Sequence, residues 1–340
     1  MGRTLNLVVP DLLGRSPGGE AVRDLQIPAT ERLLARADRD VDAAGEFEAR
    51  LFTSFGVECD PRHDLPVAAV TRLIDSPGTN EGGWMRADPV HLRPERDHLI
   101  VFDARLLDIR RDEAQALVEE FNAAFGADGG QLTAATPERW YLSLAEDPGI
   151  RTHTLREAIG RNPFELLPQG EQGARWRRFL SEVQMLFHDS RVNAAREQRG
   201  EPALNSVWFW GVGRAPAHVT ADWAQVWSDE PLARGLAQIG GIEHAPAPAA
   251  AVEWLAQAGT EGAHLVVLET LCAGALYGDE PAWRRAVQRF ESEWAQPLLA
   301  ALRHGDLDSV ALFPGSGSIY RVNATALRRF WRRTGRITLP

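Results

Sequence analysis

The sequence predicts an α/β protein whose core is a mostly parallel sheet flanked by helices, interrupted by an inserted α+β unit. Three observations lead there. The near-continuous apolar runs 5–9, 264–269 and 309–313 read as strands buried on both faces, which is how strands of parallel sheets look. An amphipathic segment, 281–303, lies between the last two runs with Trp283, Val287, Phe290, Trp294 and Leu298 recurring at helical spacing, the alternation of a strand-helix-strand crossover. From Asp75 to about Gly200 the texture changes, which divides the chain into a first core part (1–78), an inserted second domain (79–200) and a second core part (201–340).

In order, the run 5–9 leads into Pro10-Asp-Leu-Leu-Gly14, an acidic residue at the carboxyl end of a first strand, where open α/β sheets hold ligands. Helices follow over 28–37, 46–55 and 65–74, separated by the polar, turn-rich stretches 38–42 and 59–64. The turn formers of 75–83 mark a boundary and a hinge candidate. Strands are expected over 84–89, 98–103 and 139–144. Asp112 is expected to cap a helix that Gly126 ends, and 174–188 reads as a long amphipathic helix. Further helices are expected over 221–227, 231–239 and 249–258, with a short linker at 244–251, and a capped helix over 323–336 with Leu327, Phe330 and Trp331 packing inward.

Composition narrows the function classes. With 340 residues, 44% hydrophobic and 25% charged, the chain is long enough for one large or two modest cores. A formal charge of −10 argues against general nucleic-acid binding, since an acidic surface repels the phosphate backbone. No apolar run has the length of a membrane span and the start has no signal-peptide pattern, so a cytoplasmic location is expected. The two cysteines, Cys59 and Cys272, suggest neither a disulfide framework nor a thiolate metal site.

The stretch 205–216 is the most distinctive: Trp208 and Trp210 alternate along a strand-like run that breaks at Gly211 and Gly213, between Asn205 and Arg214. It reads either as a buried strand end or as the wall of a site. The run 188–196 ends a helix with His188, Asn193 and Arg196, as capping groups or as ligand contacts. Asp88, His91, Asp97 and His98 offer metal-ligating atoms without helical spacing, and 313–318 joins a strand to a helix region with glycines but lacks the Lys-Ser/Thr of a phosphate-binding loop. The arginines Arg328, Arg329, Arg332 and Arg333 form either a solvated helix face or an anion or partner site.

His188-Asp-Ser-Arg-Val-Asn193, Arg196, Gly200-Glu-Pro-Ala-Leu-Asn205 and Trp208-Phe-Trp-Gly-Val-Gly213 together resemble the archaeal-type cofactor-independent phosphoglycerate mutases of the alkaline phosphatase superfamily. Weaker similarity reaches 26–34 and the stretch 84–125, which resembles that family's lid. The chain is also similar to a proteobacterial group of such proteins. The resemblance implies an alkaline-phosphatase-like core with an inserted lid, two divalent metals held by Asp and His, and a serine that carries the phosphoryl group. This chain departs from that pattern where the metals would sit. Pro10-Asp11-Leu-Leu-Gly14-Arg15 keeps one carboxylate of the first ligand motif, Leu271-Cys-Ala-Gly-Ala275 stands where an Asp-Glu-Ala-Gly-His stretch is expected, and Pro314-Gly315 replaces a terminal Asp-His pair. Ser16 lies near the first loop with no base or metal placed beside it.

The resemblance and its gaps imply a homologue with a degenerate metal site and no cofactor, Asp11 being the one weak metal candidate. Such a protein would bind a small anionic ligand or a protein partner through Asn193, Arg196, Asn205 and Arg214, with Trp208 and Trp210 shaping the cleft. One alternative is a working mutase or phosphatase holding two divalent metals (Mn, Zn or Mg) through Asp11, Glu269 and Asp279. The other is a structural or regulatory interaction module using the basic C-terminal helix with Arg328, Arg329, Arg332 and Arg333, or a tryptophan-rich surface. The sequence leaves the oligomeric state open.

Overall fold

The computed structural model describes residues 2–15, 24–60, 62–78, 82–96, 98–127 and 130–332. In chain order the strands are β1 Arg3–Val8, β2 Asp38–Val41, β3 Gly83–Pro94, β4 Leu99–Asp103, β5 Leu132–Ala134, β6 Trp140–Leu144, β7 Ser206–Gly213, β8 Gln225–Trp227, β9 His244–Ala245, β10 Gly262–Val267, β11 Ser309–Phe313 and β12 Ser318–Asn323. The chain folds into two compact units, one made of Met1–Glu58 with His218–Pro340, the other of Cys59–Ala217.

The first unit carries a sheet in the order β2-β12-β11-β1-β10-β8-β9, in which β11, β1, β10, β8 and β9 run parallel and β12 and β2 add antiparallel at one edge. This is the expected mostly parallel α/β sheet. Leu5, Leu7, Val266, Val310 and Leu312 bury one face of it under Trp254, Trp283, Phe290, Trp294 and Leu298. The predicted helix 281–303 is present as Glu280–Phe290, a π-helical turn Glu291–Ala295 and Gln296–His304. Pro297 has no N–H for the carbonyl four residues earlier, and the helix widens there. Glu291, at the start of the wide turn, accepts from Ala29 N (2.7 Å), Thr30 N (2.9 Å) and Thr30 Oγ1 (2.7 Å), so this buried carboxylate caps the helix Pro28–Arg36.

The second unit is built on β4-β3-β6-β5, with β7 also pairing β3, all antiparallel. The helices Arg111–Phe125 and Gly173–His188 cover one face through Leu117, Phe121, Val183 and Phe187. Its limits lie outside the expected 79–200 at both ends, for two reasons. The helix Val67–Asp75 packs on β3 and β7, and β7 is hydrogen-bonded to β3 from Val90↔Ser206 to Trp84↔Gly213. The stretch 201–217 therefore belongs with the inserted unit.

Several local expectations change. Residues 221–227, expected as a helix, end in the strand β8, because Val226 and Trp227 pair between β10 and β9 and sheet pairing outweighs local propensity. Residues 38–42, expected as a turn, form edge strand β2, and the region after 313–318 is strand β12 instead of a helix. The N-cap of Arg111–Phe125 is Arg110, whose backbone N–H is bound by Glu113 at 3.1 Å, and Asp112 lies inside the first turn. The C-terminal helix spans only Ala324–Leu327 with Asn323 as its cap. Arg329 and Arg332 then turn back to Asp38 and the Ala37 carbonyl, leaving Phe330 81% and Trp331 66% exposed instead of packed inward. Ser16, Asp97 and Arg333 lie outside the described residues, as does part of the 75–83 hinge candidate.

Candidate functional site

The stretch 188–205 folds as a helix end, a second helix Arg191–Gln198 and an extended return, and its polar residues bind that return. Asn193 Nδ2 donates to Phe187 O (2.7 Å) and Leu204 O (3.0 Å), while its Oδ1 accepts from Leu204 N (2.7 Å). Arg196 is wholly buried. It donates to Pro202 O (2.8 Å), to Glu113 Oε2 (2.6 Å) and to the Leu107 carbonyl. Asn205 imitates a peptide group, accepting from Leu92 N (2.7 Å) and donating to Leu92 O (3.0 Å), which prolongs the β3–β7 ladder. Each side chain spends its hydrogen bonds on the protein's own backbone or on a buried ion pair.

Trp208 and Trp210 share one face of β7 and are 4% and 7% exposed. Trp208 Nε1 donates to His153 O (2.8 Å) and Trp210 Nε1 to Asp88 Oδ2 (2.7 Å). Asp88 also accepts from Arg86 Nε (2.9 Å) and Trp140 N (3.2 Å), and the Arg86 guanidinium lies 5.2 Å from each of the Tyr141 and Trp210 ring centroids. Burial pushes the Asp88 carboxyl upward against the opposing pull of Arg86. Tyr141 in turn donates to Asp75 Oδ2 (2.5 Å) with its oxygen 3.0 Å from Thr71 Oγ1, and Asp75 takes two bonds of 2.6 Å from Arg139. The tryptophans are therefore members of a buried polar layer. His91 Nδ1 lies 2.8 Å from Ala203 O, and Asp88 and His91, three residues apart on a strand, point to opposite faces.

Past Trp210 the alternation breaks. Trp84 pairs with Gly213 but Arg86 with Trp210, so β7 carries one extra residue, and Gly211 takes φ +68° with its missing Cβ 3.0 Å from Val67 Cβ. This bulge re-aims the strand end, and Arg214 emerges exposed on the wall of a cleft of about 350 Å³. His63, Asp64, Gly83, Glu146 and Asp147 also line it. Asp64 accepts from Thr152 N (3.0 Å) and Thr152 Oγ1, and burial raises its carboxyl above the ordinary range against these donors. His63 leans on Asp60 at 3.3 Å and Asp147 caps Gly149 N at 2.9 Å. Arg214 has no ion-pair or hydrogen-bond partner among the described residues. Of the six binding candidates, Arg214 lines a cavity of ligand size, while Asn193, Arg196, Trp208 and Trp210 are buried and Asn205 is bound to Leu92. Asp64 and Glu146 went unnoticed because the turn-rich stretch 59–64 and the end of β6 carry no pattern beyond that of connectors.

The carboxyl edge of the parallel sheet, the expected place for a ligand, has a different character. Val9 N donates to Phe313 O (3.0 Å) and Leu13 N to Pro314 O (2.9 Å), so the loops after β1 and β11 are bound to each other. A Cβ on Gly14 would stand 2.7 Å from Gly315 O, so this approach is open only to glycine. Asp11 takes φ +66°, is 5% exposed, and its carbonyl accepts from Trp283 Nε1 (3.0 Å). Leu12, Leu13 and Leu271 are 2%, 6% and 0% exposed and belong to the apolar core. Asp279 caps the helix Glu280–Phe290 through Ala282 N (2.9 Å). A pair of hard divalent cations needs several converging oxygen or imidazole ligands. Among the described residues no three His, Cys, Asp or Glu side chains converge, so those residues do not offer such a pair its ligands.

Compared with solved structures, the chain shares its fold with the cofactor-independent phosphoglycerate mutase of Thermoplasma acidophilum (TM-score 0.50, 14% identity, 99% of this chain and 94% of that one). It shares it also with a Pyrococcus horikoshii protein (TM-score 0.53, 15% identity, 95% and 88%). Its homologues in sequence are cofactor-independent phosphoglycerate mutases of the archaeal type. A probable 2,3-bisphosphoglycerate-independent phosphoglycerate mutase of Geobacter sulfurreducens is 26% identical over 132 residues, 38% of this chain and 33% of the relative. The Methanosarcina barkeri enzyme is 26% identical over 110 residues, 32% and 28%. The match thus spans about a third of these relatives' length. No family model matches the chain. Among the described residues no helix is long and apolar enough to cross a membrane.

Proposed function

We propose that this chain is a phosphoglycerate-mutase-like protein that binds a small anion at the Arg214 cleft and does not perform metal-dependent phosphotransfer. One observation carries the reading: at the carboxyl edge of the parallel sheet Leu12, Leu13 and Leu271 are buried in the apolar core and the loops after β1 and β11 approach closely at Gly14 and Gly315, which supports a poor setting for two hard cations and a phosphate. Arg214 supports the binding half, being an exposed guanidinium on a cleft wall and suited to carboxylate or phosphate oxygens. The relatives' activity makes 3-phosphoglycerate the first probe.

The test has two arms. Protein loaded with Mn, Zn or Mg, dialysed and subjected to elemental analysis should retain no stoichiometric metal and show no mutase turnover; two bound metals with turnover would overturn the reading. Calorimetry should detect 3-phosphoglycerate binding that is lost in Arg214→Ala, and unchanged binding in that variant would remove the cleft from consideration. A second reading, a protein-interaction role, is favoured by the exposed Phe330 and Trp331 beside Arg328, and predicts a co-purifying partner lost in Phe330→Ser/Trp331→Ser.

A further inference from the structure

A second, larger groove of about 820 Å³ lies in the Cys59–Ala217 unit, between the helix Gly173–His188, the end of the helix Arg111–Phe125 and the loop after β6. Its floor is aromatic. Trp176, Phe179 and Phe125 are half-buried there, with ring centroids 5.6 Å (Trp176–Phe179) and 5.1 Å (Phe125–Phe179) apart at steep angles. Phe209 of β7 supports Trp176 from below at 5.3 Å. These rings are thus fixed by the core while part of each still reaches water.

The rim is charged in both signs. Arg175 and Arg178 stand one turn apart on the helix, Glu182 one turn further, and Glu146 on the facing loop. None of these four side chains has an ion-pair or hydrogen-bond partner among the described residues, whereas Glu113 of the same unit is held by Arg110, Arg196 and Arg199. Unpaired guanidiniums suit a phosphate, unpaired carboxylates suit amino donors, and an aromatic floor suits a planar ring.

We propose that this groove binds a mononucleotide whose base carries an exocyclic amino group. The base stacks on Trp176 with Phe179, itself stacked on Phe209, meeting it edge-on; the amino group donates to Glu182 or Glu146, and the phosphate meets Arg175 and Arg178. The volume falls in the range of sites for molecules of this size. The formal charge of −10 favours a free nucleotide over a nucleic-acid strand, whose many phosphates would meet repulsion.

The test is calorimetric titration of the full chain with cytidine monophosphate, uridine monophosphate, cytidine and ribose 5-phosphate. Cytidine monophosphate should bind saturably at one site, and cytidine and ribose 5-phosphate at least about ten-fold more weakly, each lacking one half of the contacts. Uridine monophosphate, with a carbonyl oxygen in place of the amino group, should also bind more weakly. Arg175→Ala/Arg178→Ala, two exposed positions whose loss should leave the thermal midpoint unchanged, should weaken cytidine monophosphate at least ten-fold, while Arg214→Ala leaves it unaltered. Absence of saturable binding, an unchanged affinity in the double variant, or tighter binding of a short oligonucleotide than of the mononucleotide would each overturn the proposal. The two cavities share Leu144, Glu146, Asp147 and Pro148, so the comparison that separates them is Arg175→Ala/Arg178→Ala against Arg214→Ala.

Discussion

The carboxyl edge of the seven-stranded sheet and the polar interior of the second unit use their residues in opposite ways. At the sheet edge, where open α/β sheets hold ligands, Leu12, Leu13 and Leu271 are buried in the apolar core. In the second unit Arg86, Asp88, Asn193 and Arg196, residues of the kind that bind ligands, are buried and bound to one another or to backbone. Residue type therefore says less about a site than availability does. A guanidinium with all its donors placed holds the fold, and one left over at a cleft wall can hold a ligand.

The largest effect expected of this contrast is on stability. Arg196→Ala leaves the Leu107 and Pro202 carbonyls and part of Glu113 without a donor and should cost about 3–5 kcal/mol in denaturant unfolding. Its folded fraction should bind 3-phosphoglycerate as the parent does. A stable variant that had lost binding would return Arg196 to the site. Leu271→Ala, at the sheet edge, should cost about 2–5 kcal/mol if that edge is packed core, and measurably less if it is a solvated site. Asn205→Ala removes both bonds to Leu92 and should cost about 1–3 kcal/mol, with hydrogen exchange at Leu92 accelerating before that of the rest of β3.

Acid should separate the two units as well. His264, buried in β10 near Arg3, is held below the ordinary imidazole value by burial and, to a smaller extent, by Arg3. The unfolded chain then binds more protons than the folded one, so this residue's contribution is intact above about pH 6.5 and declines as pH falls below it. Unfolding followed by a probe in the first unit should show that decline, and His264→Leu should flatten it. The smallest change in stability belongs to Arg214→Ala, within about 0.5 kcal/mol, yet it should weaken the anion at least about ten-fold. A large stability loss there would show that Arg214, too, is structural.

Much of the fold was legible because its signals are local. The runs 5–9, 264–269 and 309–313 are apolar throughout, as strands covered on both faces must be, and the helix 281–303 shows its buried face in the spacing of Trp283, Val287, Phe290, Trp294 and Leu298. Strands β2, β8 and β12 were not legible, because short segments take their state from the neighbour they pair with.

The candidate site was legible in its motif and hidden in its use. The sequence by itself determined an α/β chain with an interrupted parallel core, and it carried the spacing of Asn193, Arg196, Asn205 and the Trp208–Gly213 run. Only the tertiary structure decided that Asn193 and Arg196 face their own return strand, that Trp210 lies on Asp88, and that a bulge at Gly211 brings Arg214 out to a cleft. The reason is physical: periodicity reports which face of an element is buried, whereas a polar group's role depends on whether partners distant in sequence have already satisfied it.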